Sequence, residues 1–152
     1  MELKELAAAF GEEAKLPGLG PDADGVYRVE IDGMTVAFTD EPKTNRLMTW
    51  AVVGEFPAEG REEICIRLLK GMFMGAETGG SSFAVNPETG YVYLQRMDEL
   101  QTMDADRFMS AIDSFVTVLE RWRAEISNFR PSEDEKPDGA LSGFGNGGFL
   151  KV

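Results

Sequence analysis

No histidine occurs in the chain, and that absence removes more chemistry than any residue present supplies. Histidine is the commonest general base, the commonest zinc ligand and the base partner in serine and cysteine triads. Catalysis would have to run on carboxylates, and no spacing nominates an acid–base pair. Cysteine occurs once, as Cys65, which excludes an internal disulfide and a multi-cysteine metal cluster and suits a reducing compartment. No run approaches the ~18 consecutive apolar residues of a membrane-crossing helix. The opening MELKELAAAFGEE has neither the basic flank nor the apolar core of a signal peptide. The expectation is a cytoplasmic protein with no membrane insertion. Basic residues are also scarce: 15 Lys and Arg face 27 Asp and Glu, a formal net charge of −12. Nucleic-acid binding draws on clustered Lys and Arg that release counterions, so this balance argues against it. Arg130, Lys136 and Lys151 nearly balance Glu133, Asp134, Glu135 and Asp138, so the acidity belongs to the body of the chain. It serves solubility, and it suits a partner with basic or neutral segments.

The glycine-rich stretch ETGGSS, residues 77–82, invites a phosphate-cradle reading but lacks the lysine and the adjoining helix that such a loop needs. The chain continues instead as SSFAV, NPETG and YVYLQR, two β-forming runs joined by turn residues. The reading is a hairpin: strand Ser82 to Val85, turn Asn86 to Gly90, strand Tyr91 to Arg96.

Elsewhere the hydrophobic period alternates between helix and strand. Glu2 to Ala14 places Leu3, Leu6, Ala7 and Phe10 on one helical side, and KLPGLGPDADG breaks it. From Val26 the period is two: Tyr27, Val29 and Ile31, a hairpin turn at Asp32–Gly33, then Met34, Val36 and Phe38. Arg46 to Glu55 is apolar on both faces, with Leu47, Ala51 and Val53 on one and Met48, Trp50 and Val52 on the other. Such a strand is expected to be covered on both sides. A helix over about Ala58 to Met74 carries Ile64, Cys65, Ile66, Leu68, Leu69, Met72 and Phe73. Their arc spans about 200°, against the ~100° stripe that faces a single core. Half of that arc needs a second partner, and self-association is the economical source. A last helix, N-capped by Asp104 and running to Asn128, has the stripe Phe108, Ile112, Phe115, Leu119, Trp122 and Ile126. That stripe, with Met109, is assigned to packing. Asp98, Glu99, Asp104 and Asp106 cluster ahead of it, and acidic residues there ordinarily serve the helix dipole. No cofactor, metal or catalytic residue is assigned.

The predicted order α-β-β-β-α-β-β-α makes an antiparallel sheet in an α+β domain over residues 1–128. Residues 129–152, acidic and then glycine-rich, are expected to be a tail disordered in isolation; its Phe144, Phe149 and Leu150 could form a short docking peptide.

That order resembles the class I type III secretion chaperones, the family that includes the Tir chaperone. The likeness lies chiefly in LLKGMFMGAETGGSSFAVNPETGYVYLQRMDEL and then DADRFMSAIDSFVTVLERWRAEI: a helix ending in a small-residue loop, an apolar strand, a Pro-x-x-Gly turn, a strand, and a long closing helix with tryptophan. Asn86 stands where an acidic residue is usual before the proline, and the tail is longer than the family needs. The resemblance implies a homodimer that holds the N-terminal segment of a secreted effector in extended, partly unfolded form without ATP. It implies a dimer interface at Ile64, Leu68, Leu69 and Met72, and effector-binding patches at Leu3, Leu6, Phe10, Phe38, Trp50 and Val52. The alternative expectation is a non-catalytic regulatory or inhibitory protein-binding module on the same fold.

Overall fold

Asp32 and Gly33 both hold positive φ, 50° and 76°, and so close the two-residue hairpin that joins β1 (Tyr27–Ile31) to β2 (Met34–Glu41). β2 pairs next with β3 (Arg46–Glu55), from Val36 opposite Ala51 to Glu41 opposite Arg46. β3 in turn pairs with β5 (Tyr91–Glu99), whose other neighbour is the short β4 (Ser82–Val85). The result is one five-stranded antiparallel sheet in the order β1-β2-β3-β5-β4. The computed structural model describes residues 1–132. The tail expected from the sequence lies outside the described residues from position 133 onward.

Three helices complete the chain in the predicted α+β order: α1 (Leu3–Glu13), α2 (Arg61–Met72) and α3 (Ala105–Asn128). Asp104 accepts the Arg107 N–H at 2.9 Å and starts α3 where the sequence placed it. The whole stripe Phe108, Ile112, Phe115, Leu119, Trp122 and Ile126 is buried. α1 adds Leu3, Leu6, Ala7 and Phe10 to the same core. Its Phe10 meets Phe108 edge-on, Phe108 meets Phe38 edge-on, and Phe38 stacks on Tyr27. Two glycines set how closely the layers approach. A side-chain carbon on Gly71 would fall 2.3 Å from the Trp122 ring, and one on Gly54 would fall 3.1 Å from Ile126 Cγ2.

The elements depart from expectation in three places. α2 begins at Arg61 rather than Ala58, because Gly60 holds a left-handed φ of 67° that helix cannot continue through. It ends at Met72, and Phe73–Gly75 tightens into a single turn around Met74, itself at φ 54°. β5 continues to Glu99, three residues past Arg96, because β3 pairs with it along its whole length. The third departure concerns cover. The strand apolar on both faces does not have both faces covered: Leu47, Thr49, Ala51 and Val53 are buried, whereas Val52 is exposed and Met48 and Trp50 are half-buried. The helices lie on one face of the sheet, and among the described residues nothing is laid across the other.

Candidate binding surfaces

The open face of the sheet is built by strand register. Trp50 stands opposite Ala37 on one side and Gln95 on the other, Met48 opposite Thr39 and Met97, and Val52 opposite Tyr93, which in turn faces Ala84. Side chains directly opposite across an antiparallel pair lie about 5 Å apart, so Met48, Trp50, Val52, Tyr93 and Met97 form one contiguous apolar field. Val52 keeps 41% of its surface and Met97 54%. At the end of β3 an extra residue interrupts the register between Val52 and Gly54, so Val53 and Gly54 both serve the helix side. The field therefore stops at Val52.

A second apolar surface runs along the outward side of α2. Cys65, Leu69 and Phe73 recur at four-residue intervals, all exposed, with Leu69 at 63% and Phe73 at 69%. Met74 extends the line at 87% exposure. The turn that presents Phe73 and Met74 is held from behind. Arg67 donates two hydrogen bonds to the Glu77 carboxylate, at 2.8 and 3.0 Å, and a third to Glu125 at 3.0 Å. Its guanidinium lies 4.6 Å above the Trp122 ring. Arg121 also pairs with Glu77, and the Trp122 indole N–H donates to the Glu77 carbonyl at 2.8 Å. The hydrogen bonds from Arg67 hold the Glu77 carboxyl below the usual carboxylate range, and the hydrogen bond to Glu77 in turn raises the Arg67 guanidinium above its ordinary value. Both groups stay charged at neutral pH, and the loop 73–81 is tied to α3.

The ten residues singled out in the sequence divide sharply by environment. Ile64 and Leu68 on α2 point inward and are buried, Leu69 points outward, and Met72 is half-buried with its sulfur accepting the Phe83 N–H. Leu3, Leu6, Phe10 and Phe38 are buried in the chain's own core. They offer a partner no surface unless α1 moves. Trp50 and Val52 do share the open sheet face. Phe73 belongs to the wide arc read from the sequence, but Met74, Tyr93 and Met97 are surface residues that sequence reasoning missed. The alternation Tyr91, Tyr93, Gln95, Met97 is the signal available for the last two. The acidic cluster ahead of α3 is committed elsewhere: Asp98 pairs with Arg96 at 2.7 Å and Asp104 caps the helix. Among the described residues no three His, Cys, Asp or Glu side chains come together to hold a metal ion, and no helix is long and apolar enough to cross a membrane.

Known proteins share this architecture. The profile of the Tir chaperone protein (CesT) family matches residues 5–123. A Chlamydia pneumoniae protein designated CPj0713/CpB0740 is 26% identical over 106 residues, which is 69% of this chain and 80% of that protein. Among solved structures, a chain of the ExsC–ExsE complex superposes with a TM-score of 0.70 at 21% identity, covering 83% of this chain and 97% of its own. A chain of the HopA1–SchA chaperone–effector complex does so at 0.66 and 12% identity, covering 80% and 92%. The two likenesses are of fold.

Proposed function

The chain belongs to the Tir chaperone protein (CesT) family, and from that premise we propose that it is a non-catalytic, cytoplasmic type III secretion chaperone. It pairs with a second copy of itself and holds the N-terminal segment of a secreted effector in extended, partly unfolded form. The observation that carries the reading is the presence of two separate uncovered apolar surfaces on so small a body, one helical and one on a sheet. Exposed apolar fields of this kind mark interaction sites on soluble proteins.

The two surfaces suit different partners. Cys65, Leu69 and Phe73 are symmetric about Leu69 in spacing, so two α2 helices crossing antiparallel on a twofold axis would place Leu69 beside its own copy and Cys65 opposite Phe73. The interface expected from the sequence is thereby narrowed: Leu69, with Phe73 and Met74, forms the proposed contact, while Ile64 and Leu68 support it from below. The sheet face, flat and rich in methionine and aromatic groups, suits the side chains of an extended client. Client backbone could pair with β1, an edge strand. An unfolded client loses entropy on binding, so a long contact with apolar anchors is needed for useful affinity.

The test is a mass measurement together with a binding measurement. By light scattering the chain should be a dimer, and Leu69→Asp should give a folded monomer, since a charge in a dry contact is costly. Mixed with an N-terminal fragment of the secreted protein encoded beside it, the wild-type chain should form a stable complex in which the fragment stays protease-sensitive outside the contact. A wild-type monomer that binds no such fragment would overturn the reading. A partner that is fully folded and protease-resistant when free would point instead to a regulatory module.

A further inference from the structure

Met74 combines two features, neither of which stabilises the chain's own fold. Its backbone holds φ 54°, a left-handed conformation that costs free energy in any residue with a side chain. Its side chain, large and apolar, is almost wholly exposed. A strained turn that displays an apolar side chain instead of burying it is compensated only when a partner covers that side chain.

Glu77 holds the turn, and it uses every polar group it has. Its N–H donates to the carbonyl of Gly71 in the last turn of α2 at 3.1 Å, and its carbonyl accepts the Trp122 indole N–H at 2.8 Å. Its Oε2 accepts from Arg67 Nη1 at 2.8 Å, and its Oε1 is shared between Arg67 Nη2, at 3.0 Å, and Arg121. α2 and α3 are thus both tied to one residue three positions beyond Met74. Within the loop, the Gly79 N–H donates to the Gly75 carbonyl at 3.0 Å. Gly75 also lies so near Gly80 that a side-chain carbon on it would fall 3.2 Å from the Gly80 nitrogen. The turn is closed from within and pinned from behind, and Phe73 and Met74 stand on its outer side.

We propose that Glu77 is the positioning residue of the α2 contact: it fixes Phe73 and Met74 in the geometry in which a second copy of the chain receives them, and so sets the strength of self-association. The proposal rests on the reading of the outward side of α2 as the dimer contact. A side chain already held in its bound arrangement loses less freedom on association, and the gain comes from there. Dimerisation squares the effect, because both copies must present the turn. If a loosened turn keeps the binding geometry about a third of the time, the dissociation constant rises about ninefold. The charged groups that meet Glu77 or its partners among the described residues are Arg67 on α2 with Arg121 and Glu125 on α3, Glu125 pairing with Arg67. Arg67 keeps the Glu77 carboxyl below the usual carboxylate range, so the clamp is intact at neutral pH and loosens as acid protonates Glu77.

Sedimentation equilibrium over a dilution series measures the dimer dissociation constant, with the melting temperature recorded beside it. In the full chain, Glu77→Gln keeps the size of the side chain and removes its charge; it should weaken the dimer about tenfold at neutral pH while the chain stays folded. The ratio of the variant's constant to that of the wild type should fall toward one as the pH drops below the ordinary carboxylate range, which lost packing alone would not produce. Arg121→Gln, at a half-exposed position, removes one arm of the clamp and should weaken the dimer by a smaller factor, so the proposal stays open to refutation if Glu77→Gln folds poorly. Met74→Gly separates display from stability. Relief of the left-handed strain should hold the melting temperature at or near wild type, yet the dimer should weaken about tenfold for want of its apolar anchor. An unchanged dissociation constant in these variants would overturn the proposal, as would a Glu77→Gln ratio that stays constant on acidification. Leu69→Asp tells two failures apart: if it gives monomer while the Glu77, Arg121 and Met74 variants dimerise like wild type, the contact stands and only the positioning role falls. A dimer untouched by Leu69→Asp would remove the contact and the proposal with it.

Discussion

On β3, Leu47, Thr49, Ala51 and Val53 look toward the helices, and their sequence neighbours Met48, Trp50 and Val52 look away from them. The two sets are equally apolar, yet one is sealed and the other is wet. The sealed side has partners shaped to it: Gly71 makes room for Trp122, Gly54 for Ile126, and four aromatic rings interlock from Tyr27 to Phe10. The open side has a pleated row of side chains with nothing among the described residues fitted over it. Close packing is what turns apolar area into stability of this chain, whereas apolar area left without a partner is available for binding. α2 repeats the contrast within a single turn, with Leu68 inside and Leu69 outside.

The sharpest way to break this comparison is to truncate one tryptophan on each side. Trp122→Ala should lower unfolding free energy by about 3–5 kcal/mol in denaturant titration, through a cavity that the surroundings refill only partly. It also leaves the Glu77 carbonyl without its indole donor. Trp50→Ala should cost about 1 kcal/mol, since the indole is only half-buried. Equal losses would mean that the open face is packed after all. Next in size is the neighbouring pair on α2. Leu68→Ala should destabilise by about 2–5 kcal/mol, while Leu69→Ala should stay within about 0.5 kcal/mol at concentrations where the chain is monomeric. The reverse order would turn the helix by about 100°.

The smallest effect concerns the clamp behind the Phe73–Met74 turn. Glu77 titrates below its usual range because Arg67 hydrogen-bonds its charged form. A carboxylate of this kind contributes stability that is present above its unfolded-state value and is lost as pH falls through its folded-state value. The melting temperature of Glu77→Gln should therefore lie below wild type at neutral pH, and the two should converge in acid below the ordinary carboxylate range. A gap that stays constant on acidification would show that the glutamate acts through shape rather than charge.

Much of the architecture is legible in the sequence. The 2.0 and 3.6 periods, the Asp32–Gly33 turn and the Asp104 cap place the strands, the hairpin and α3 within a few residues, because these signals are local. The binding surfaces are legible only in part. Alternation alone puts Trp50 and Val52 on one strand face, and the wide arc of α2 reveals more apolar girth than one core can use. The family resemblance assigns Leu3, Leu6, Phe10 and Phe38 to a partner, although the chain buries them itself. Nothing in their local pattern distinguishes an apolar face that packs inward from one that is left open.

Composition and periodicity by themselves determined that this protein is an acidic α+β domain without histidine chemistry, carrying more apolar surface than its helices and strands need for one another. Only the tertiary structure decided which part is surplus. Burial depends on which elements come to lie on which face of the sheet, and that is fixed by contacts between residues far apart in sequence, such as Trp122 with Gly71 and Ile126 with Gly54. Periodicity records that a side of a helix or strand is apolar; the packing of the others against it decides whether that side meets the core or the solvent.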